Sequence, residues 1–154
     1  KGSRMRIYEK TSLIECSLKK LYDFHLDMKN LKAISPKGIK VTLLNEGFVP
    51  KEGAILRLKT VKNFLPIIWE VKIDKMDAPN LLVDVAMKSP FKSWRHSHIF
   101  TQVDENICEL KDVVEYTLPF GFLGSLFNFF IQYELRSMFN FRHLITQKLL
   151  EGKR

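Results

Sequence analysis

The middle of the chain alternates apolar and polar residues in short segments that turn sequences separate. Pro50-Lys51-Glu52-Gly53, Ala78-Pro79-Asn80 and Asp104-Glu105-Asn106 combine residues that favour turns. Regularly spaced segments of this kind are typical of an antiparallel sheet. Together with an apolar segment near the start, the pattern predicts strands at Arg6–Cys16, Lys40–Asn45, Ala54–Lys62, Ile67–Lys75, Leu81–Lys88, Ser93–Gln102 and Ile107–Leu118.

Helical spacing occurs after the first strand and again at the end of the chain. Ser17 can cap a short helix over Leu18–Leu26, and a second short helix over Met28–Ile34 ends before Pro36. From Leu126 to Leu150 apolar positions recur at steps of three and four, which predicts one long helix. Its apolar stripe comprises Phe127, Ile131, Leu135, Met138, Arg142, Ile145 and Leu149. The order of elements predicts an α+β domain whose curved sheet packs onto that helix.

Alternation along the strands predicts which side chains face the helix. The predicted inner sets of four consecutive strands are Trp69, Val71 and Ile73; Val83, Val85 and Met87; Trp94, His96, His98 and Phe100; and Leu110, Asp112, Val114, Tyr116 and Leu118. The last two sets contain polar residues, which an apolar core does not require. These polar residues are therefore the candidates for a functional site.

The last two strands can be paired from the turn between them. If that turn is centred on Glu105, the opposed pairs are Phe100 with Leu110, His98 with Asp112, His96 with Val114, and Trp94 with Tyr116. Directly opposed side chains lie ~5 Å apart, so His98 and Asp112 should touch, with His96 and Tyr116 one step away. Arg142 lies in the helical stripe that covers this face, and a buried guanidinium needs a partner, for which Asp112 is the expected candidate.

Three interpretations of this polar cluster stay open. It can be a structural network that joins sheet to helix. It can also orient the polar head of an otherwise apolar ligand. Alternatively, a histidine held by Asp112 acts as a general base while Tyr116 or Arg142 stabilises an enolate. A metal site is not expected, because Arg142 would repel a cation.

Composition narrows the functional classes. The chain has 154 residues, enough for one domain over residues 5–152, and Lys1-Gly2-Ser3-Arg4 before Met5 resembles a cloning scar. Its formal net charge is +8, but ten of the 25 basic residues lie in the first 40 positions, so the charge excess is local. No apolar run is long enough for a membrane-spanning helix, and without a leader pattern we expect a cytoplasmic protein. Nucleic-acid binding and cofactors are not expected.

The sequence lacks the motifs of several common classes of enzyme. The chain lacks GxSxG, Walker, GxGxxG and HExxH motifs. Cys16 and Cys108 form no CxxC motif, and we expect packed, reduced thiols. The sequence leaves open whether these two cysteines meet.

Several motifs resemble the START-like, or SRPBCC, superfamily, which includes polyketide cyclases, lipid-transfer domains and pollen-allergen-like proteins. The resemblance covers Met5 to about Leu150 and is carried by Ser89-Pro90-Phe91-(x)2-Trp94-x-His96-x-His98-x-Phe100, Asp112-(x)3-Tyr116-(x)2-Pro119-x-Gly121-(x)2-Gly124 and Met138-Phe139-x-Phe141-Arg142. Within this superfamily, the chain is similar to a bacterial branch described as ligand-binding. The resemblance implies a helix-grip fold, in which a seven-stranded sheet curves around the C-terminal helix and encloses a cavity.

The segment from Phe120 to Ile131 is the most apolar part of the chain, and seven of the 12 phenylalanines lie between Phe120 and Phe141. One interpretation is that it seals the start of the long helix against the sheet. The other is that it forms a membrane-touching lip for an apolar ligand, with transient membrane contact through Phe122 and Leu123. Gly121 and Gly124 would permit the sharp turn from strand to helix.

The sequence therefore predicts a domain that binds a hydrophobic or amphipathic molecule such as a lipid or a polyketide-like compound, with transport of that molecule as an extension of the binding function. The expected polar contacts are His96, His98, Asp112, Tyr116 and Arg142. The expected apolar wall comprises Trp69, Val71, Val83, Val85, Met87, Trp94, Phe100, Tyr133, Met138 and Phe141. A cyclase- or dehydratase-like enzyme using the same polar cluster is one alternative, and an interaction module using the basic N-terminal region is another.

Overall fold

The computed structural model describes residues 4–152, apart from the side chain of Phe122. Lys1, Gly2 and Ser3 of the proposed cloning scar lie outside the described residues. Seven strands, β1 to β7, span Arg6–Ile14, Ile39–Leu43, Ile55–Lys62, Leu65–Asp77, Leu81–Lys88, Ser93–Asp104 and Ile107–Thr117. Helices α1 to α4 span Leu18–Leu26, Met28–Ala33, Gly121–Leu126 and Asn128–Glu151.

The strands form an antiparallel sheet in the order β1-β7-β6-β5-β4-β3-β2. The sheet and the long C-terminal helix confirm the predicted helix-grip architecture. The register predicted for the hairpin of β6 and β7 is also confirmed, because His98 lies opposite Asp112 and Trp94 opposite Tyr116. The short helix α3 is a feature that the sequence pattern did not predict.

The long helix α4 crosses the inner face of the sheet from one end to the other. Near its start Asn128 accepts a hydrogen bond from the Tyr116 hydroxyl at 2.8 Å. Near its end Gln147 donates to the backbone carbonyl of Leu13 at 3.0 Å. The helix thus closes the concave side of the sheet along most of its length.

The buried face of α4 differs from the predicted stripe. The helix buries Leu135, Phe139, His143 and Thr146, whereas Leu149 of the predicted stripe is exposed. The predicted stripe includes Leu135 but not Phe139, His143 or Thr146, and two of these three missed residues are polar. A hydrophobic periodicity does not recognise polar residues whose partners lie on the sheet.

Two apolar clusters form the core. One packs α1 against the sheet through Leu21, Tyr22 and Phe100, and the other packs α4 against it through Leu135 and Phe139. Cys16 and Cys108 belong to the first cluster, and the Cys108 thiol donates to the Cys16 carbonyl at 3.2 Å. The prediction of packed, unpaired thiols is confirmed. Within residues 4–152, no helix is long and apolar enough to cross a membrane.

Candidate functional site

A cavity of about 760 Å³ lies between the sheet, α2 and α4. This volume is typical of sites that hold small molecules. Four residues of the predicted wall line it: Trp69, Val71, Trp94 and Met138. Sequence reasoning missed the contributions of α2 and of the outer strands, among them Leu31, Ile34, Val41, Leu56, Leu58 and Ile67.

Six residues of the predicted wall do not line the cavity: Val83, Val85, Met87, Phe100, Tyr133 and Phe141. Strand β5 is inverted relative to the prediction, because Leu82 lies opposite His98 and Asp84 opposite His96. The inward residues of β5 are therefore Leu82 and Asp84, and the aliphatic side chains of Val83, Val85 and Met87 point away from the cavity. Phe100 is fully buried under α1, while Tyr133 is exposed.

Asp112 is the centre of a buried polar cluster at the inner end of the cavity. Its Oδ1 accepts a hydrogen bond from His96 Nε2 at 2.7 Å, and its Oδ2 accepts one from His143 Nε2 at 2.6 Å. His98 Nδ1 lies 3.1 Å from Asp112 Oδ1, an ion-pair distance without hydrogen-bond alignment. The other ring nitrogen of His98, Nε2, donates to Asp84 Oδ2 at 2.9 Å. His98 thus lies between two carboxylates.

These contacts determine the ionisation of the cluster. Burial alone would raise the pKa of Asp112, but the histidines around it hold that pKa well below its usual value. Burial lowers the pKa of His98, but Asp112 and Asp84 outweigh that effect and raise it to about 9. Burial and the nearby charge of His98 lower the pKa of His96, and that of His25 to about 4. At neutral pH the cluster therefore contains ionised Asp112, protonated His98 and neutral His96.

The predicted pairing of Arg142 with Asp112 is wrong. Among residues 4–152, no hydrogen bond or ion pair joins the Arg142 guanidinium to another residue, and its buried Nε has no partner. The guanidinium carbon lies 5.7 Å from the ring centroid of Phe139, and Arg142 lines the cavity. The helical partner of Asp112 is the next residue, His143, which stands one turn beyond Phe139 on the buried face.

Tyr116 is fully buried, but it does not line the cavity. Its hydroxyl donates to Asn128 and accepts a hydrogen bond from Gln132. Tyr116 therefore attaches the start of α4 to the sheet. Asp112 is also shielded from the cavity, whereas His96, His98 and Arg142 reach it.

Asp84, His96 and His98 each place one potential ligand atom within 4.8 Å of the others, an arrangement that could hold a metal ion. A cation there would have to displace the proton that His98 shares with Asp84. It would also share the cavity with the positive charge of Arg142. The absence of a metal site stays a prediction.

Comparisons with known proteins identify the fold. No family model matches the sequence, and no curated protein matches it. Norcoclaurine synthase from Thalictrum flavum is similar in structure, with a TM-score of 0.75 and 13% identity over 99% of this chain and 98% of the enzyme. A protein from Chromobacterium violaceum gives a TM-score of 0.74 at 9% identity over 94% and 97% of the two chains.

The protein Ara h 8.0201 is also similar, with a TM-score of 0.65 at 11% identity over 92% of this chain and 98% of its own. The chain therefore has the helix-grip fold that its resemblance in sequence to START-like proteins implies. One structure of norcoclaurine synthase contains dopamine and hydroxybenzaldehyde. At these identities the likeness establishes the fold and leaves the ligand to be argued from the cavity.

Proposed function

We propose that the protein binds an apolar or amphipathic small molecule, such as a lipid or a polyketide-like compound, between the sheet and α4. The observation that carries this proposal is the cavity of about 760 Å³, whose lining is mostly apolar and whose inner end presents His96, His98, Asp84 and Arg142. A few polar groups in an apolar cavity are typical of a site that orients one end of a ligand. A neighbour with the same fold binds two small aromatic molecules.

Filling the cavity tests this proposal. Ile67 lines the cavity on β4, so Ile67→Trp should occupy part of the space and weaken binding of anilinonaphthalene sulfonate by about tenfold or more. Leu149→Trp, at an exposed position of α4, is the matched control and should leave the affinity unchanged. Equal affinities in both variants would contradict binding in this cavity. Native mass spectrometry of the purified protein would identify any ligand that it retains.

The ionisation of the cluster supports the enzyme alternative less well than it supports the binding function. A general base must have a free lone pair near neutral pH. His98, one of the two histidines beside Asp112, has a pKa of about 9, and each of its ring nitrogens lies within 3.1 Å of a carboxylate oxygen, so it stays protonated at neutral pH. His96 donates its Nε2–H to Asp112 and has a lowered pKa, so its Nδ1 keeps a lone pair and His96 is the histidine of the cluster that could act as a base. We propose a binding role for this cluster, and catalysis with His96 as the base stays the alternative.

We also propose that the protein contacts anionic membranes through the cavity mouth. Exposed apolar side chains lie at the β3–β4 turn and between the end of β7 and the first turn of α4: Phe64, Leu65, Phe120, Leu123, Phe127, Phe129 and Phe130. Leu65 and Phe130 also line the cavity, and the ion pair of Lys62 with Glu134, at 3.0 Å, joins the β3–β4 turn to α4 beside them. The side chain of Phe122, predicted to take part, lies outside the described residues.

The charge at the sheet ends supports an anionic membrane as the partner. At the mouth the strands end at Arg6, Ile39, Lys62, Leu65, Lys88, Ser93 and Thr117, which include three basic residues and no acidic one. At the opposite end they finish at Ile14, Leu43, Ile55, Asp77, Leu81, Asp104 and Ile107, which include two acidic residues and no basic one. An anionic surface attracts the mouth end and repels the other. Cosedimentation with lipid vesicles measures this contact. The cytoplasmic location and the wider use of the basic N-terminal region stay predictions.

A further inference from the structure

The guanidinium of Arg142 lacks an acceptor at the inner end of the cavity. An arginine side chain carries five N–H donors and no acceptor. No described residue provides a hydrogen bond or an ion pair for them, and Nε is buried with no partner. A buried charge without a partner is costly, so its position next to an apolar cavity suggests that the partner is supplied from outside the chain.

The nearby carboxylates of Asp112 and Asp84 act on Arg142 through space and oppose the effect of burial on its pKa, but neither forms a hydrogen bond or an ion pair with the guanidinium. Asp112 lies 2.7 Å from His96, 2.6 Å from His143 and 3.1 Å from His98. Asp84 accepts from His98 at 2.9 Å. Both carboxylates are thus engaged with histidines, whereas Arg142 is the cationic group of the cavity that has no direct partner among residues 4–152. Arg142 therefore offers unused donors to the inner end of the cavity.

We propose that Arg142 binds the carboxylate of an amphipathic ligand whose hydrocarbon part fills the apolar cavity. The inference rests on the proposed function and specifies its ligand class. A guanidinium forms two parallel hydrogen bonds with a carboxylate, which fixes the head group in one orientation. Phe139, 5.7 Å from the guanidinium carbon, supports the side chain from behind.

Other head groups fit these surroundings less well. An alkylamine would bring a third positive charge beside Arg142 and protonated His98, and Asp84 is already engaged with His98. A phosphate monoester would bring up to two negative charges close to Asp84, which lines the same cavity. Lys62, a second basic residue in the lining, is paired with Glu134 at the mouth. One carboxylate matches the single free guanidinium.

The test compares four ligands that differ only in their head group: dodecanoate, dodecanol, dodecylamine and dodecyl phosphate. For the wild type, calorimetry at pH 7 should show dodecanoate binding about 10- to 100-fold more tightly than dodecanol, the range expected for a charge-assisted pair. In Arg142→Met the two affinities should lie within about threefold, because the methionine keeps the apolar stem but not the donors. Arg136→Met, at an exposed position of the same helix, is the control and should keep the wild-type preference.

The outcomes separate this inference from the proposed function. If the wild type binds none of the four ligands, the binding function itself fails. If it binds dodecanol as tightly as dodecanoate, or prefers dodecylamine or dodecyl phosphate, the function stands and the role of Arg142 is refuted. Retained dodecanol binding by Arg142→Met shows that its cavity is intact.

A second measurement uses the wild type alone and does not depend on the folding of a variant. Infrared spectra of bound dodecanoate at about pH 4, where a free carboxyl is substantially protonated, should show the band of the ionised carboxylate. The band of the protonated acid would refute the pairing with Arg142.

Discussion

Asp112 brings together side chains from three parts of the fold. His96 and His98 come from the adjacent strand β6, and His143 comes from α4 and also contacts the Ser12 hydroxyl on β1 at 2.8 Å. A buried carboxylate with this many donors stays ionised and holds sheet and helix together. Asp112 and His143 are therefore the enclosed, structural members of the cluster. His98 and Arg142 face the cavity.

The protonation of His98 should make stability depend on pH. Its pKa rises from 6.5 to about 9 in the folded protein, so the proton binds more tightly in the folded state. This stabilisation is complete below pH 6.5 and is lost as the pH rises through about 9. We expect the wild type to exceed His98→Gln by on the order of 3 kcal/mol at pH 6 and by much less at pH 10, measured by urea unfolding.

His25 provides the control for that experiment. Its ring centroid lies 5.5 Å from that of His98, but burial lowers its pKa from 6.5 to about 4. Its effect on stability therefore changes on the acid side, where stability falls as the pH drops from 6.5 towards 4. The difference between wild type and His25→Gln should stay constant between pH 7 and pH 10. A His98→Gln difference that is equally constant there would refute the protonated state of His98.

Sequence reasoning found the residues whose positions follow from a local turn. It missed those whose positions depend on how distant elements pack. The contact of His98 with Asp112 follows from counting outward from one turn, because a tight hairpin fixes its own register. His143 could not be found in this way, because the rotation of α4 relative to the sheet depends on packing along the whole helix. Two other polar residues that reach the cavity, Arg142 and Asp84, show the same limit. Arg142 was identified, but its partner was assigned to the wrong residue, and Asp84 was assigned to the outer face.

At the level of the elements, the inverted strand β5 explains much of the mistaken wall. Its sequence places aliphatic residues at 83, 85 and 87, which alternation assigns to the interior. The opposite face is inward because Asp84 accepts a hydrogen bond from His98 and Leu82 packs in the core. A polar residue that has a partner can face inward, and a single sequence does not show that partner. The number and order of the strands did not depend on this choice, and they were predicted.

The turn between β7 and α3 depends on Gly124. A Cβ atom at this position would lie 2.0 Å from the backbone carbonyl oxygen of Pro119. Backbone atoms cannot move away as a side chain can, so Gly124→Ala should destabilise the fold by about 2 kcal/mol in urea unfolding. Ser125→Ala, which removes only a local hydrogen bond to Gly121, should cost less than about 1 kcal/mol. Equal stability of the two variants would show that this close approach is absent.

At the scale of the whole molecule, the basic strand ends and the exposed apolar side chains lie at the same end of the sheet. The mouth end of the sheet is basic and carries exposed phenylalanines, whereas the opposite end is acidic. Phe64 and Phe120, exposed to 98% and 82%, also have left-handed φ values of 64° and 65°. Glycine or asparagine is favoured in this conformation, and phenylalanine is strained there. The fold does not require phenylalanine at these two positions, and the proposed membrane contact would explain it.

Phe64→Gly should separate folding from membrane contact. Asn63 and Phe64 both have positive φ values in the two-residue turn between β3 and β4, and an Asn-Gly sequence is the favoured one there. The variant should therefore be as stable as the wild type or more stable by up to about 1 kcal/mol. Its association with vesicles containing phosphatidylserine should nevertheless fall by about tenfold, because an exposed aromatic ring no longer enters the bilayer.

Val49→Gly is the matched control, because Val49 is 68% exposed in the loop between β2 and β3, at the opposite end of the sheet. It should associate with vesicles as the wild type does. Since the basic strand ends contribute through long-range attraction, wild-type association should also weaken as salt rises and fall on vesicles of neutral lipid. If the wild type fails to sediment with anionic vesicles at low salt, or if both variants bind equally well, the apolar mouth is not a membrane contact. The strain at Phe64 would then need another explanation.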